Sequence, residues 1–248
     1  MTAFLASVRS AAEARLVLHA GVDVLDVKEQ DAGALGAVSD ATLREIVTCA
    51  NGTVPVSATI GDMPLVPEQL APAIIGTWHA GVDIVKVGIF AAAISEPVTS
   101  MLAGFSAQGM RLVLVFFAEQ WHGDLDFELL HLAGVRGVML DTRDKYSGSL
   151  TAKLGRGELA GFVRKSQQAG LIAGLAGSLR ETEISDLLAL APDYLGFRGA
   201  LCGAAGRAAN IDGAAVRRIA NRIHDDRPRQ SVIAPRRNPV DSTNLMPV

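Results

Sequence analysis

Eight short runs of aliphatic and β-branched residues recur along the chain, and each is followed by a longer segment with helical spacing. The runs cover residues 4–8, 23–27, 54–58, 83–87, 111–117, 136–141, 171–176 and 193–198. Helical periodicity is predicted near 10–19, 41–50, 67–80, 92–108, 126–133, 157–169, 180–190 and 212–224. Continuously apolar strands are those covered on both faces, and a helix between successive strands makes them parallel. Eight such units between residues 4 and 224 predict an α/β fold of one domain, a (β/α)8 barrel (TIM barrel).

An internal near-repeat supports this reading. The strings HAGVDVLDV, HAGVDIVKV and LAGVRGVML each join a helix end, a glycine and the next strand. The runner-up, a doubly wound open sheet, normally carries a glycine fingerprint after its first strand. Here RSAAEAR follows that strand and contains no glycine. The barrel domain is placed at 1–224. Residues 225–248 are rich in Pro, Arg and Asp, lack periodicity, and read as an irregular C-terminal tail. Contacts in a homo-oligomer are one use for such a tail.

Hydrophobic residues make up 49% of the chain and charged ones 20%, which is enough for a large core and excludes a disordered chain. The net charge of −3, with no basic stripe, argues against nucleic acid as a partner. Cys49 and Cys202 lie far apart and form no CxxC pair, as expected of a reduced cytoplasmic protein. The N-terminal MTAFLASVRSAAEARL lacks the basic start and long apolar run of a secretory signal. The longest apolar region, residues 71–94, is broken by His79, Asp83 and Lys86. A bilayer span needs about 20 consecutive, mostly apolar residues, so a soluble chain with no membrane partner is expected.

Charge appears where it is least expected, inside the apolar runs. With the near-repeats aligned on Gly21, Gly81 and Gly134, Asp26 falls opposite Lys86 and Lys28 opposite Asp141. All four share one parity along their strands, because strand side chains alternate with period two. If that parity faces inward, two lysines and two carboxylates converge on the C-terminal mouth, where barrels of this kind place their active sites. Lys145, in LDTRDK, could reach in from the following loop. The plainer alternative is a set of solvated strand-end charges, with Asp26 and Lys28 as a local ion pair.

The chemistry that such a group suggests is imine formation. A lysine attacks a carbonyl only when neutral, so its pKa must fall from about 10.4 toward roughly 7–8. Burial and a neighbouring ammonium both push it down. The carboxylates oppose that shift and suit proton carriage, or the anchoring of the other lysines.

The loops after strands 7 and 8 read LAGSLRETE and GFRGALCGAAGR. Gly177, Ser178, Gly199 and Ala200 could offer backbone N–H groups there, the usual phosphate site of this fold, with Arg198 or Arg207 adding charge. Tight turns alone would also explain these glycines. His19 and His79 sit at predicted helix ends, and the five histidines show no metal-binding spacing, so no metal is expected. No GxSxG or GxxxxGK[ST] occurs. Trp78, Trp121 and the Phe116–Phe117 pair read as packing or pocket wall.

The strings LDVKEQDAGALGA, VSATIGDMP, DIVKVGIF, MLDTRDK, LAGS and GFRGALC, in this order, resemble (5-formylfuran-3-yl)methyl phosphate synthase. The resemblance spans about residues 3–224. It implies a carbon–oxygen lyase of methanofuran biosynthesis that needs no cofactor. Such a lyase condenses two glyceraldehyde 3-phosphate molecules to 4-(hydroxymethyl)-2-furancarboxaldehyde phosphate, losing one phosphate and water. It also implies that Lys28 is the Schiff-base lysine, that Lys86 transfers a proton, and that Asp141 and Lys145 are further active-site groups. Asp26 joins them on barrel geometry alone. The eighth loop, LCGAAGRAANID, carries less charge than expected of archaeal members. A class I aldolase acting on a sugar phosphate would share the lysine and phosphate sites, and a non-catalytic phosphometabolite-binding barrel only the latter.

Overall fold

The computed structural model describes residues 1–91, 93–202 and 209–225. Its strands are β1 (Ala3–Val8), β2 (Val24–Val27), β3 (Val56–Thr59), β4 (Ile84–Gly88), β5 (Leu112–Phe117), β6 (Gly137–Asp141), β7 (Ile172–Leu175) and β8 (Tyr194–Phe197). They pair in chain order, all parallel, and β8 closes on β1 with Ala3 opposite Tyr194 and Ala6 opposite Phe197. That closure rules out the open doubly wound sheet. Every strand residue is buried, as continuously apolar strands require.

Outside the barrel run α1 (Ala11–His19), α2 (Asp40–Ala50), α3 (Pro67–His79), α4 (Glu96–Ala107), α5 (Phe127–Leu132), α6 (Leu150–Lys153), α7 (Arg156–Gln168), α8 (Ile184–Leu188) and α9 (Gly213–His224). Two departures from the predicted helices have local causes. The helix predicted at 92–108 begins at Glu96, after the N-cap Ser95 and with Pro97 in the first turn; residues 93–95 are not helical, and residue 92 lies outside the described residues. The segment predicted at 180–190 opens with a 3-10 turn at Glu181–Glu183, where the Glu183 carboxylate accepts from the Arg180 N–H. The one-turn α6 was too short to show a period. The tail beyond Asp225, and Arg207, lie outside the described residues.

The near-repeat now has a physical reading. Gly21, Gly81 and Gly134 all take positive φ (87°, 96° and 74°), ending a helix and releasing the chain into the next strand. The aspartate that follows in two of the three repeats works as a staple. Asp23 accepts from the Phe4 N–H (2.7 Å) and Asp83 from the Val56 N–H (2.8 Å), each pinning the preceding strand. Asp193 does the same for Ala173 in β7 (2.7 Å).

The core has two parts. The larger lies between sheet and helices; the smaller fills the barrel with Leu5, Val24, Ile84, Val113, Met139, Ile172 and Tyr194. Gly174 leaves room for the Tyr194 ring, since a Cβ there would lie 2.1 Å from it. Above this filling, Leu35 from the loop after β2 wedges against Gly88 and packs with Phe117, while Phe90 stacks on Phe117 (centroids 4.7 Å apart). The wedge is held by Asp62, whose carboxylate accepts from the Ala34 and Leu35 N–H groups (2.9 and 2.7 Å). This plug covers the β4–β5 side of the mouth and leaves a pocket on the other side. Among the described residues, no helix is long and apolar enough to cross a membrane.

Candidate active site

Strand parity places the charged residues inside the barrel in two tiers. In the lower tier, Asp26 on β2 and Lys86 on β4 are 0% and 1% exposed, with Lys86 Nζ 2.9 Å from Asp26 Oδ1. Two serines complete the shell around this carboxylate. Ser57 Oγ donates to Oδ1 (2.7 Å) and Ser7 Oγ to Oδ2 (2.9 Å). A buried ion pair survives only when its remaining lone pairs are satisfied in this way.

The upper tier opens into the pocket. Lys28, one residue past β2, faces Asp141 at the end of β6, with Nζ 3.8 Å from Oδ2. The other oxygen, Oδ1, accepts from Lys145 Nζ and from the Thr142 N–H (2.7 Å). Asp141 Oδ2 is buried and accepts no hydrogen bond among the described residues. It thus meets Lys28 through charge rather than through a hydrogen bond.

Burial pushes the Asp26 carboxyl up, but Lys86, Lys28 and the hydrogen bonds from Lys86 and Ser57 outweigh it, leaving the group below the usual carboxylate range. Asp141 behaves alike. Burial raises it, and Lys145, Lys28 and the Thr142 N–H pull it well below its ordinary value. Both are therefore anions at neutral pH, each beside two lysines. Tyr194, in the barrel filling, is pushed far up by burial and then by Asp26, Asp193 and Asp141, and stays protonated.

The pocket, about 520 Å³, is lined by Lys28, Asp141, Lys145 and Ser7, and by the loops after β7 and β8. Gly177, Ser178, Gly199 and Ala200 all face it. Gly177 has φ 105°, and a Cβ there would lie 2.7 Å from the Thr142 nitrogen, so the loop comes close only because this residue is glycine. Ser178 Oγ donates to the Lys145 carbonyl (2.9 Å), tying the two loops together. Arg198 also lines the pocket, but its guanidinium forms a bidentate pair with Glu13 of α1 (2.6 and 3.0 Å) and donates to the Ser7 and Ala209 carbonyls. Its charge is engaged within the protein.

The structure thus joins Lys28, Asp141 and Lys145 at one pocket and sets Asp26 and Lys86 beneath, neither lining it. Sequence reasoning missed Ser7, Ser57, Glu13 and Leu35. Ser7 carried a signal, as the one polar residue in the run AFLASV. Arg180 and Tyr146, at the pocket rim, carried none. Trp121 packs outside the barrel with Phe116, Phe127 and Phe162, and Phe117 points inward. No group of three His, Cys, Asp or Glu side chains placed to hold a metal occurs among the described residues.

The family model for 4-HFC-P synthase matches residues 4–220. The chain belongs to the 4-HFC-P synthase family. The (5-formylfuran-3-yl)methyl phosphate synthase of Archaeoglobus fulgidus is 32% identical over 210 residues, 80% of this chain and 89% of its own. A relative from Methylorubrum extorquens, carrying that enzyme name provisionally, is 40% identical over 212 residues, 86% and 87% of the two chains. The 4-HFC-P synthase barrel has relatives among solved structures in fold alone. Phosphoribosyl anthranilate isomerase from Thermus thermophilus superposes with a TM-score of 0.66 at 14% identity, covering 92% of this chain and 100% of that one. A 3-hexulose-6-phosphate synthase gives 0.58 at 16% identity, covering 90% and 100%.

Proposed function

We propose that this chain is a lyase that condenses two glyceraldehyde 3-phosphate molecules to 4-(hydroxymethyl)-2-furancarboxaldehyde phosphate, with loss of one phosphate and water, in methanofuran biosynthesis. The observation that carries this reading is Lys28. It is a 94%-buried lysine at a pocket wall, facing a buried carboxylate oxygen at 3.8 Å, in a chain of this family.

Lys28 attacks the carbonyl of one triose phosphate and forms an imine, which acidifies the adjacent carbon. The Asp26–Lys86 pair takes up the proton, and β-elimination expels phosphate. Carbon–carbon bond formation with the second triose, ring closure, dehydration and release from Lys28 follow. Asp141, anionic between two ammonium groups, balances the cationic imine, and Lys145 holds that carboxylate in place. Backbone groups of Gly177, Ser178, Gly199 and Ala200 bind the retained phosphate. Arg198 supports this site through its backbone and through the Glu13 pair that fixes the eighth loop on α1. No step requires a cofactor.

The test is to mix the protein with glyceraldehyde 3-phosphate and follow inorganic phosphate together with the mass of a phosphorylated furaldehyde. Both should appear, and both should vanish in Lys28→Ala. Condensation without phosphate release identifies an aldolase instead. Absence of any reaction by folded protein leaves a phosphometabolite-binding barrel.

A further inference from the structure

The Asp26–Lys86 pair poses a question of access. Both side chains are essentially fully buried and neither lines the pocket, yet a proton has to pass between them and a substrate held on Lys28. The plug of Leu35, Phe90 and Phe117 covers the β4–β5 side of the mouth.

One side chain belongs to both places. Ser7, on the inward face of β1, lines the pocket together with Lys28 and is itself only 2% exposed. Its hydroxyl donates to Asp26 Oδ2 at 2.9 Å. The register that sets Ser7 beside Asp26 is part of the β1–β2 ladder, and Lys28 continues that ladder through its N–H to the Val8 carbonyl (3.1 Å). The other serine on this carboxylate, Ser57, does not line the pocket. Asp26 Oδ1 is occupied by Lys86 and Ser57, so Oδ2 is the oxygen that contacts a pocket-lining side chain, Ser7.

We propose that the Ser7 hydroxyl is the proton link between the pocket and the buried Asp26–Lys86 pair; this rests on the imine chemistry proposed for Lys28. The step balances. The C–H bond next to the cationic imine breaks, and its electron pair forms the C=C bond of the neutral enamine. The proton passes to Ser7 Oγ as the proton of Ser7 passes to Asp26 Oδ2. One cation and one carboxylate become two neutral groups, and Lys86, hydrogen-bonded to Asp26 Oδ1, completes the pair that holds and returns the proton. The reverse transfer restores the imine.

The experiment separates imine formation from proton transfer. Protein and glyceraldehyde 3-phosphate are mixed in deuterated buffer and quenched with borohydride, and the Lys28 adduct is read by mass spectrometry for its amount and deuterium content. Wild type should give an adduct that acquires deuterium. Ser7→Ala should give a comparable amount of adduct while exchange slows by about 10²-fold or more, the usual contribution of a positioned acid–base group. Ser7→Thr, which keeps the hydroxyl, should recover most of the exchange. Exchange in Ser7→Ala within a few-fold of wild type overturns the proposal, as does loss of adduct and exchange together in folded protein. If Ser7→Ala fails to fold, Ser7→Gly is read by the same criteria. No adduct in wild type removes the imine reading itself, a result distinguishable from failure of the Ser7 link alone.

Discussion

Lys28, just past β2, and Asp141, at the end of β6, face each other at the pocket wall with Nζ and Oδ2 3.8 Å apart, although β2 and β6 are not neighbours in the sheet. The separation is too long for a hydrogen bond and short enough for strong charge coupling. The aspartate gives its hydrogen-bonding oxygen to Lys145 instead. Two lysines thus share one carboxylate unequally, Lys145 through a hydrogen bond and Lys28 through charge.

Replacing Lys28 by Arg keeps a cation beside Asp141 but removes the group able to form an imine. Phosphate release should fall by on the order of 10⁶-fold, as when a covalent nucleophile is removed. Borohydride trapping should find no adduct at position 28. Substrate-dependent thermal stabilisation should persist, because the loops proposed to bind phosphate are untouched.

Stability should depend on pH in the acid range. Asp26 and Asp141 have folded-state pKa values below their unfolded values, which lie near the 3.8 of a free aspartate. In that window the unfolded chain binds more protons, so stability falls as pH drops below about 5 toward the folded values. Urea midpoints between pH 6 and 3 should decline. The decline should be shallower in Asp141→Asn, whose starting stability is already lower; an equally steep decline in that variant would show that the acid sensitivity lies elsewhere.

Glu13→Ala strands the Arg198 guanidinium, whose side chain is 4% exposed. Removing one partner of a buried pair costs about 3–5 kcal/mol, read from urea unfolding. Removing both, in Glu13→Leu with Arg198→Met, should restore much of that loss. If the single change costs under about 1 kcal/mol, the pair is not what fixes the eighth loop.

Leu35→Ala should cost about 2–5 kcal/mol through the cavity it leaves. It also thins the cover against Gly88, two residues beyond Lys86 on the same inward face of β4. An amine-modifying reagent that spares Lys86 in wild type should therefore label it in the variant, as seen by peptide mass mapping.

Much of this molecule was legible in its residues alone. Eight apolar runs alternating with helical segments specify the barrel, because the two periodicities, 2 and 3.6, expose different faces for burial. The period of two also put Asp26, Lys28, Lys86 and Asp141 on one side of their strands. What it could not supply was depth. Whether an inward charge lies at the pocket or beneath it depends on how the eight strands are staggered around the closed barrel and on what covers the mouth. The β1–β2 pairing brought Ser7 to Asp26, 19 residues away, and barrel closure brought Glu13 to Arg198, 185 residues away. The Leu35 wedge hides the β4–β5 side while Lys28 stays at the wall. Local periodicity is a property of consecutive residues, so the chain dictated which way each side chain points. Only tertiary structure, which joins residues distant in sequence, decided which of them reach the pocket.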